Sequence, residues 1–441
     1  MKPITRVISL ALCAILLLGC AAPKPLPEAP STENTPKAPE ASKNNEVLTM
    51  PTLLGAKPLL VPDFEKTPPE AGSSANEFAF KLSKSLFKKG ENSILSPFSV
   101  WMTLAALSNA TNAKVLPELL KSINAEGLSV KDINESVSRM LYMLTGNEGK
   151  DANSHNPLAI ANAIFVDKSV ALKEPFAQAF LDFYRGAAQN VDFLQPSSID
   201  AINKWASEHT NGLITDIVKE IPRDTIAALA NAIYFSDRWA LEFNEAETEG
   251  LPFKGTKSEA KAKFMKREGD AIPYYEDASL QAVNLEFVGG GGLLIMLPKD
   301  KDADALFNGM NADSFKNILD GIGPNSGKLL LPRFELFSDF ELKEALEGLG
   351  VPLFDSMRLP LNELADVDAF ISAALHQATI TVDEKGTTAA AVTVQMMSRT
   401  SLPSPTEPFS MVCDRPFAFV LHKWTPEAGA QVLFTGVVNQ M

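Results

Sequence analysis

Cysteine and histidine are scarce, three of one and four of the other in 441 residues. Cys13 lies inside an apolar N-terminal stretch and Cys20 ends it, so Cys413 is the only thiol of the remaining chain. No disulfide framework can form within that body, and its stability must come from a packed core. Cys413 follows the apolar residues Phe409, Met411 and Val412 and reads as a small core residue rather than a nucleophile. None of His155, His209, His376 and His422 has a second ligand at zinc spacing, and no metal or cofactor is expected. Bases are outnumbered 40 to 54, a formal charge of −14. Such a chain is repelled by phosphate backbones, which argues against a nucleic-acid partner. The acids are scattered, as on a solvated surface. The sequence also lacks a G-x-S-x-G elbow, H-E-x-x-H, C-x-x-C and a phosphate-loop pattern. Gly289 to Gly292 precede no Lys-Ser or Lys-Thr and lie between two strand-like stretches, which marks a hairpin turn. Carboxylate pairs are invisible in sequence, so this reading alone leaves a hydrolase open.

What is present begins with an address. Lys2 and Arg6 precede an apolar run from Val7 to Leu18, followed by Gly19 and Cys20. A basic start, a short apolar stretch and small residues make a secretory signal, too short to span a bilayer. Leu17, Leu18, Gly19 and Cys20 resemble the bacterial lipobox. The resemblance implies cleavage before Cys20 and acylation of its sulfur and new amino group. Several acyl chains, at roughly 0.8 kcal/mol per buried methylene, anchor a protein stably. Ala21 follows, not an acidic residue, which in the lipoproteins of Gram-negative bacteria to which the lipobox resemblance points implies sorting to the outer membrane of the cell envelope. Residues 21–70 hold 11 of the 30 prolines and almost no aromatics. Such a segment buries too little apolar surface to offset its ordering entropy, and reads as a tether with a reach below about 150 Å. The expected organisation is a signal over 1–19, a lipidated Cys20 and tether over 20–72, and one domain over 73–441.

Within that domain, residues 76–90 carry Phe78, Leu82 and Leu86 at helical spacing, with Gly90 as a stop. Ser338 or Asp339 is expected to cap a second helix carrying Leu342, Leu346 and Leu349. Strands are expected over 158–166, 226–235, 293–297, 378–382, 417–421 and 431–438. Helices dominate early and strands late, without regular alternation or repeat, which predicts an α+β fold.

The most informative stretch runs from Val382 to Pro403. After Asp383 and Glu384 comes Gly386, then small and β-branched residues with no proline and no charge until Arg399. Strand propensity combines here with side chains slim enough to enter a packed sheet. As a central strand in one register, it would turn Thr387, Ala389, Ala391 and Thr393 to the core. The bland reading is an Ala-rich surface loop or short helix. Val392, Thr393 and Val394, all β-branched, argue against a helix.

Glu384, Lys385, Gly386, Thr387, Thr388, Ala389, Ala390 and Ala391 resemble the hinge motif of the serpin family, with Thr388 where the family usually has glutamate. Ser96 to Ser99 resemble the family's shutter serines, and Asn231 to Trp239 the strand that ends at its breach tryptophan. Asn162 to Phe165, Thr210 to Gly212, His376 and Asp414 to Phe417 stand in family order. The likeness covers 73–441 and its ordered succession is specific. It implies a large mixed sheet with smaller sheets, eight or nine helices and an exposed reactive loop over about 384–408. It implies an inhibitor rather than an enzyme: a target serine protease attacks the loop, forms an acyl-enzyme and is trapped in a covalent 1:1 complex when the loop inserts into the sheet. Cysteine proteases are a lesser target. A non-inhibitory serpin-fold binding protein or chaperone is the alternative. Each accessory residue has a plainer reading: Ser96 and Ser99 as helix caps, His376 as a core histidine, Trp239 as packing. The family spacing from Glu384 puts the cut at Thr400–Ser401. A hinge one residue shorter puts it at Arg399–Thr400, where Arg399 suits a trypsin-like pocket. The protein is expected to be a monomer, held to the membrane by its N-terminal lipid.

Overall fold

A computed structural model describes residues 10–20, 70–145, 158–300, 302–386, 407–425 and 429–441. Nine α-helices form among the described residues: α1 (Glu70–Leu86), α2 (Pro97–Leu107), α3 (Leu116–Ser122), α4 (Val130–Thr145), α5 (Glu174–Tyr184), α6 (Ser197–His209), α7 (Ala303–Gly309), α8 (Ala312–Gly321) and α9 (Lys343–Gly348). Six strands make one sheet, in the order β11 (Phe334–Glu341), β12 (Ala369–Val382), β1 (Leu10–Cys20), β5 (Thr225–Phe235), β3 (Leu158–Asp167) and β4 (Gly186–Val191). Its pairs are antiparallel except β3 with β4. The second sheet runs β13 (Phe409–Val412), β10 (Gly323–Pro332), β7 (Glu259–Glu276), β8 (Leu280–Glu286), β9 (Gly292–Pro298), β14 (Phe417–Thr425), β15 (Gly429–Val438) and β2 (Ser93–Leu95), with β6 (Glu249–Lys254) paired to β7. This is the α+β architecture expected, with a large mixed sheet.

The helix expected from Phe78 and Leu82 is α1, and both side chains are buried. It reaches back to Glu70, with Ala71 and Ala75 buried, so the packed body starts a few residues ahead of 73. The turn over Gly289–Gly292 joins β8 to β9. Gly291 needs its missing side chain there, at a φ of +79° with a Cβ position 2.2 Å from the His422 carbonyl oxygen.

The second helix differs from expectation. Ser338 and Asp339 belong to β11, where Phe334, Leu336 and Ser338 turn inward in strand alternation. The Ser338 hydroxyl accepts the Ile94 N–H at 3.0 Å. Pairing with β12 and that bond outweigh the capping signal, and α9 begins only at Lys343.

The apolar run read as a leader also takes a place in the fold. Leu10–Cys20 is a central strand, antiparallel to β12 on one edge and to β5 on the other. Leu16 packs into the main core with Phe78 and Phe98. Leu17 packs on the other face with Ile202 and Ala206 of α6. Each is 1% exposed, and burying each contributes roughly 2 kcal/mol. No helix among the described residues is long and apolar enough to cross a membrane.

Candidate functional site

At Val382, β12 turns sharply. The Asp383 N–H donates to the Gly386 carbonyl at 3.2 Å, and Gly386 bridges both Asp383 and Arg238. The chain therefore already stands between the extended ends of β12 and β5. Gly386 has a φ of +136°, and a Cβ there would lie 2.3 Å from the Asp237 carbonyl oxygen. No larger residue fits this approach, so the glycine read as a flexible point is the tightest contact of the turn.

The turn is pinned from three sides. The Trp239 N–H donates to the Lys385 carbonyl at 3.0 Å, and the Phe243 N–H to the Glu384 carbonyl at 2.8 Å. Trp239 Nε1 donates to the Asp383 carbonyl at 2.8 Å, while its ring stacks on Phe287 with centroids 4.7 Å apart. Trp239 is thus core packing and also a strut for the hinge. The Glu384 carboxylate, 2% exposed, accepts Arg333 Nε at 2.7 Å and the Thr248 hydroxyl. Burial holds the Asp383 carboxyl above its usual range, with the Glu384 charge adding to the effect.

Midway down the same slot lies a second polar cluster. All of α2 is buried, so its hydroxyls must find partners inside. Ser96 caps nothing with its side chain. Its hydroxyl donates to the Leu433 carbonyl at 2.7 Å, and its N–H donates to His376 Nε2 at 3.2 Å. The Ser99 hydroxyl donates to Asn231 Oδ1, Asn231 Nδ2 donates to Asn162 Oδ1 at 2.6 Å, and Asn162 Nδ2 donates to the Tyr184 carbonyl at 2.6 Å. The helix-cap reading of these serines is replaced by a chain of buried hydrogen bonds between α2 and the sheet. His376 of β12 and Asn231 of β5 do not face each other, because both pair with Ala14 of β1 between them.

Since His376 Nε2 accepts, the ring is neutral with its proton on Nδ1. Burial holds its pKa down at about 3, from the ordinary 6.5. Between those pH values the unfolded chain binds a proton that the native chain refuses. Stability on this account is unchanged above pH 6.5 and falls as pH drops below it, by about 1.4 kcal/mol per unit. His422, held at about 4 by burial, acts in the same direction. His376→Gln keeps an acceptor for the Ser96 N–H, and should remove about one proton from the pH slope of unfolding between pH 6 and 5. Urea titrations at the two pH values check this.

The structure brings Glu384, Lys385, Gly386 and Trp239 together at one end of the slot, and Ser96, Ser99, Asn231 and His376 at its middle. Thr387, Thr388, Ala389, Ala390, Ala391, Arg399, Thr400 and Ser401 lie outside the described residues. Cys20 ends β1 opposite Ala369. Cys413 is fully buried and its thiol pKa is pushed up by burial, as suits a core residue. Arg333 and Thr248 were not singled out in the sequence. Arg333 stands between the apolar Leu331 and Phe334 at a strand junction, and a charge so placed must find a partner. That signal was available. Thr248 offers none.

A large mixed sheet, a second sheet and nine helices among the described residues, with β12 closing in a pinned turn, define an α+β protein of one large body. The family model for serpins, described as serine protease inhibitor, matches residues 73–441, and the chain belongs to the serpin family. It is 29% identical over 374 residues to an uncharacterized serpin-like protein of Thermococcus kodakarensis, covering 82% of this chain and 84% of that protein. It is 26% identical over 375 residues to a plasma serine protease inhibitor of Mus musculus, covering 83% of this chain and 90% of that protein. Among solved structures, the thermophilic serpin tengpin in its native state superposes with a TM-score of 0.72 at 22% identity, covering 84% of this chain and 94% of that one.

Proposed function

We propose that this chain is a suicide-substrate inhibitor of serine proteases, acting by loop cleavage, acyl-enzyme trapping and insertion of the cut loop beside β12. One observation carries the reading. The Asp383–Gly386 turn starts an antiparallel ladder on the edge of β12 that faces β5. Continued residue by residue, that ladder would set Thr387, Ala389, Ala391 and Thr393 opposite Val382, Ile380, Ala378 and His376 on insertion. All four β12 residues are 0% exposed. Small side chains thus meet the buried face in turn, the pattern an inserting strand requires. The 14 residues of β12 offer rungs as far as about residue 400, so the strand can take up the hinge through the proposed cut.

Mixing the processed protein with a serine protease should give a covalent complex that survives boiling in detergent. Mass spectrometry of the released C-terminal peptide reads the bond: a first residue of Ser401 supports Thr400–Ser401, and Thr400 supports Arg399–Thr400. Turnover without any complex sinks the inhibitory reading.

A second reading, a non-inhibitory serpin-fold binding protein or chaperone, is favoured by one observation: the slot is already filled by β1. It predicts cleavage without complex and no gain in thermal stability after cutting. The lipobox-like residues support a further element of the proposal, that the processed chain is held in the bacterial cell envelope by acylation of Cys20. Metabolic labelling with a fatty acid, lost on Cys20→Ser, tests it.

A further inference from the structure

Each edge of β12 is in use. β11 takes one and β1 takes the other. A segment that follows β12 through a tight turn can pair with it only on the edge held by β1, in the direction in which β1 already runs. The rungs coincide as well. β1 pairs Ala11 with Thr379 and Cys20 with Ala369, the rungs the ladder from Gly386 assigns to residues 390 and 400. Leu10 stands opposite Phe235 on β5, the rung that residue 389 would need, so only residues 387 and 388 fit between Gly386 and the start of β1.

We infer that Leu10–Cys20 and the reactive loop compete for one slot between β5 and β12, so that the chain retaining its leader cannot trap a protease. The inference rests on the loop-insertion reading above. Both faces of the slot are dry where Leu16 and Leu17 sit, which suits an apolar leader as well as a slender loop. Ala14 sits between Asn231 and His376, on the rung that Thr393 would need. The run from Val7 to Leu18 therefore has two apolar destinations, this slot and a bilayer. Hydrolysis of the Gly19–Cys20 amide, leaving a carboxylate on Gly19 and an amine on Cys20, would cut the strand from the chain and let the membrane take it. Processing would then anchor the protein and arm it in one step.

The test uses the full chain carrying Cys20→Ser, beside the same chain with Leu16→Lys and Leu17→Lys. Two lysines cannot be buried unpaired on opposite faces of the sheet, so the strand should leave. Hydrogen exchange should show residues 11–19 slowed about a hundredfold or more in the first protein and open in the second. With a serine protease, the first should be cut as a substrate, and the second should give at least about tenfold more covalent complex per cleavage. Free exchange of residues 11–19 in the first protein, or equal trapping by both, overturns the competition and leaves the inhibitory reading intact. Absence of trapping by both proteins and by the chain beginning at Cys20 overturns the inhibitory reading and the competition with it.

Discussion

Thr387→Glu is expected to turn the protein from an inhibitor into a substrate, with covalent complex per cleavage falling about a hundredfold. Continued by one rung on the proposed insertion, the ladder from Gly386 would put residue 387 opposite Val382 on one side and Asp237 on the other. Val382 is 0% exposed and Asp237 is 1% exposed. The Asp237 carboxylate already accepts the N–H groups of Arg238 and Gly289, each at 2.8 Å. A glutamate inserted there would be desolvated beside a buried like charge, which costs several kcal/mol. On the proposed mechanism insertion and hydrolysis of the acyl-enzyme race, so each 1.4 kcal/mol added to insertion would shift the outcome about tenfold. Thr387→Arg should be milder than Thr387→Glu, because Asp237 offers it a partner, and Thr387→Ser should behave as the parent. Titration of complex yield against protease, read on a denaturing gel, ranks the four proteins. Equal yields for parent and Thr387→Glu would rule out insertion through this rung.

The elements legible in the sequence are those in which one local rule acts alone. The strands over 158–166 and 226–235 announce themselves by apolar runs, and the glycines at 289–292 by a turn that only they tolerate. Ser338 and Asp339 mislead because a polar pair before spaced leucines looks like a helix start, whereas the partner that settles the matter, the Ile94 N–H, lies 244 positions away in the chain. The 14-residue β12 was legible only at its β-branched end, since Ala369, Ala373 and Ala374 carry little strand signal. The run before Cys20 shows the limit most plainly. A leader needs an apolar stretch of some twelve residues, and so does a strand buried on both faces. Composition cannot separate them, and only the pairing of Ala14 with both Asn231 and His376 reveals the second use. The end of β12 was legible, because Asp383, Glu384 and Gly386 follow its β-branched run. That Arg333 needs a partner could be read from its apolar neighbours, but that its anchor is Glu384 could not, because that contact joins residues 51 apart through the third dimension.

That anchor gives the last prediction. Glu384→Lys is expected to lower unfolding stability by about 2 to 3 kcal/mol and to free the hinge from Trp239. Glu384 is 2% exposed, and Arg333, at 37%, reaches it from the surface. A lysine in that position would face Arg333 with no carboxylate between them, in a site where water screens only one partner. Arg333 can swing outward, which holds the loss below that of a fully enclosed pair. The lysine cannot leave without moving the backbone that bonds Phe243 and Trp239 at 2.8 and 3.0 Å. Glu384→Gln keeps an acceptor for Thr248 and should cost roughly half as much. Arg333→Glu placed on Glu384→Lys restores opposite charges and should recover part of the loss. Urea midpoints give the energies, and the emission maximum of Trp239, isolated by replacing the other tryptophans with Phe, reports on the hinge: it should move to the red as the stack on Phe287 loosens. An unchanged midpoint and unchanged emission in Glu384→Lys would mean that the turn is held by its backbone bonds alone, and that Gly386 rather than Glu384 fixes its position.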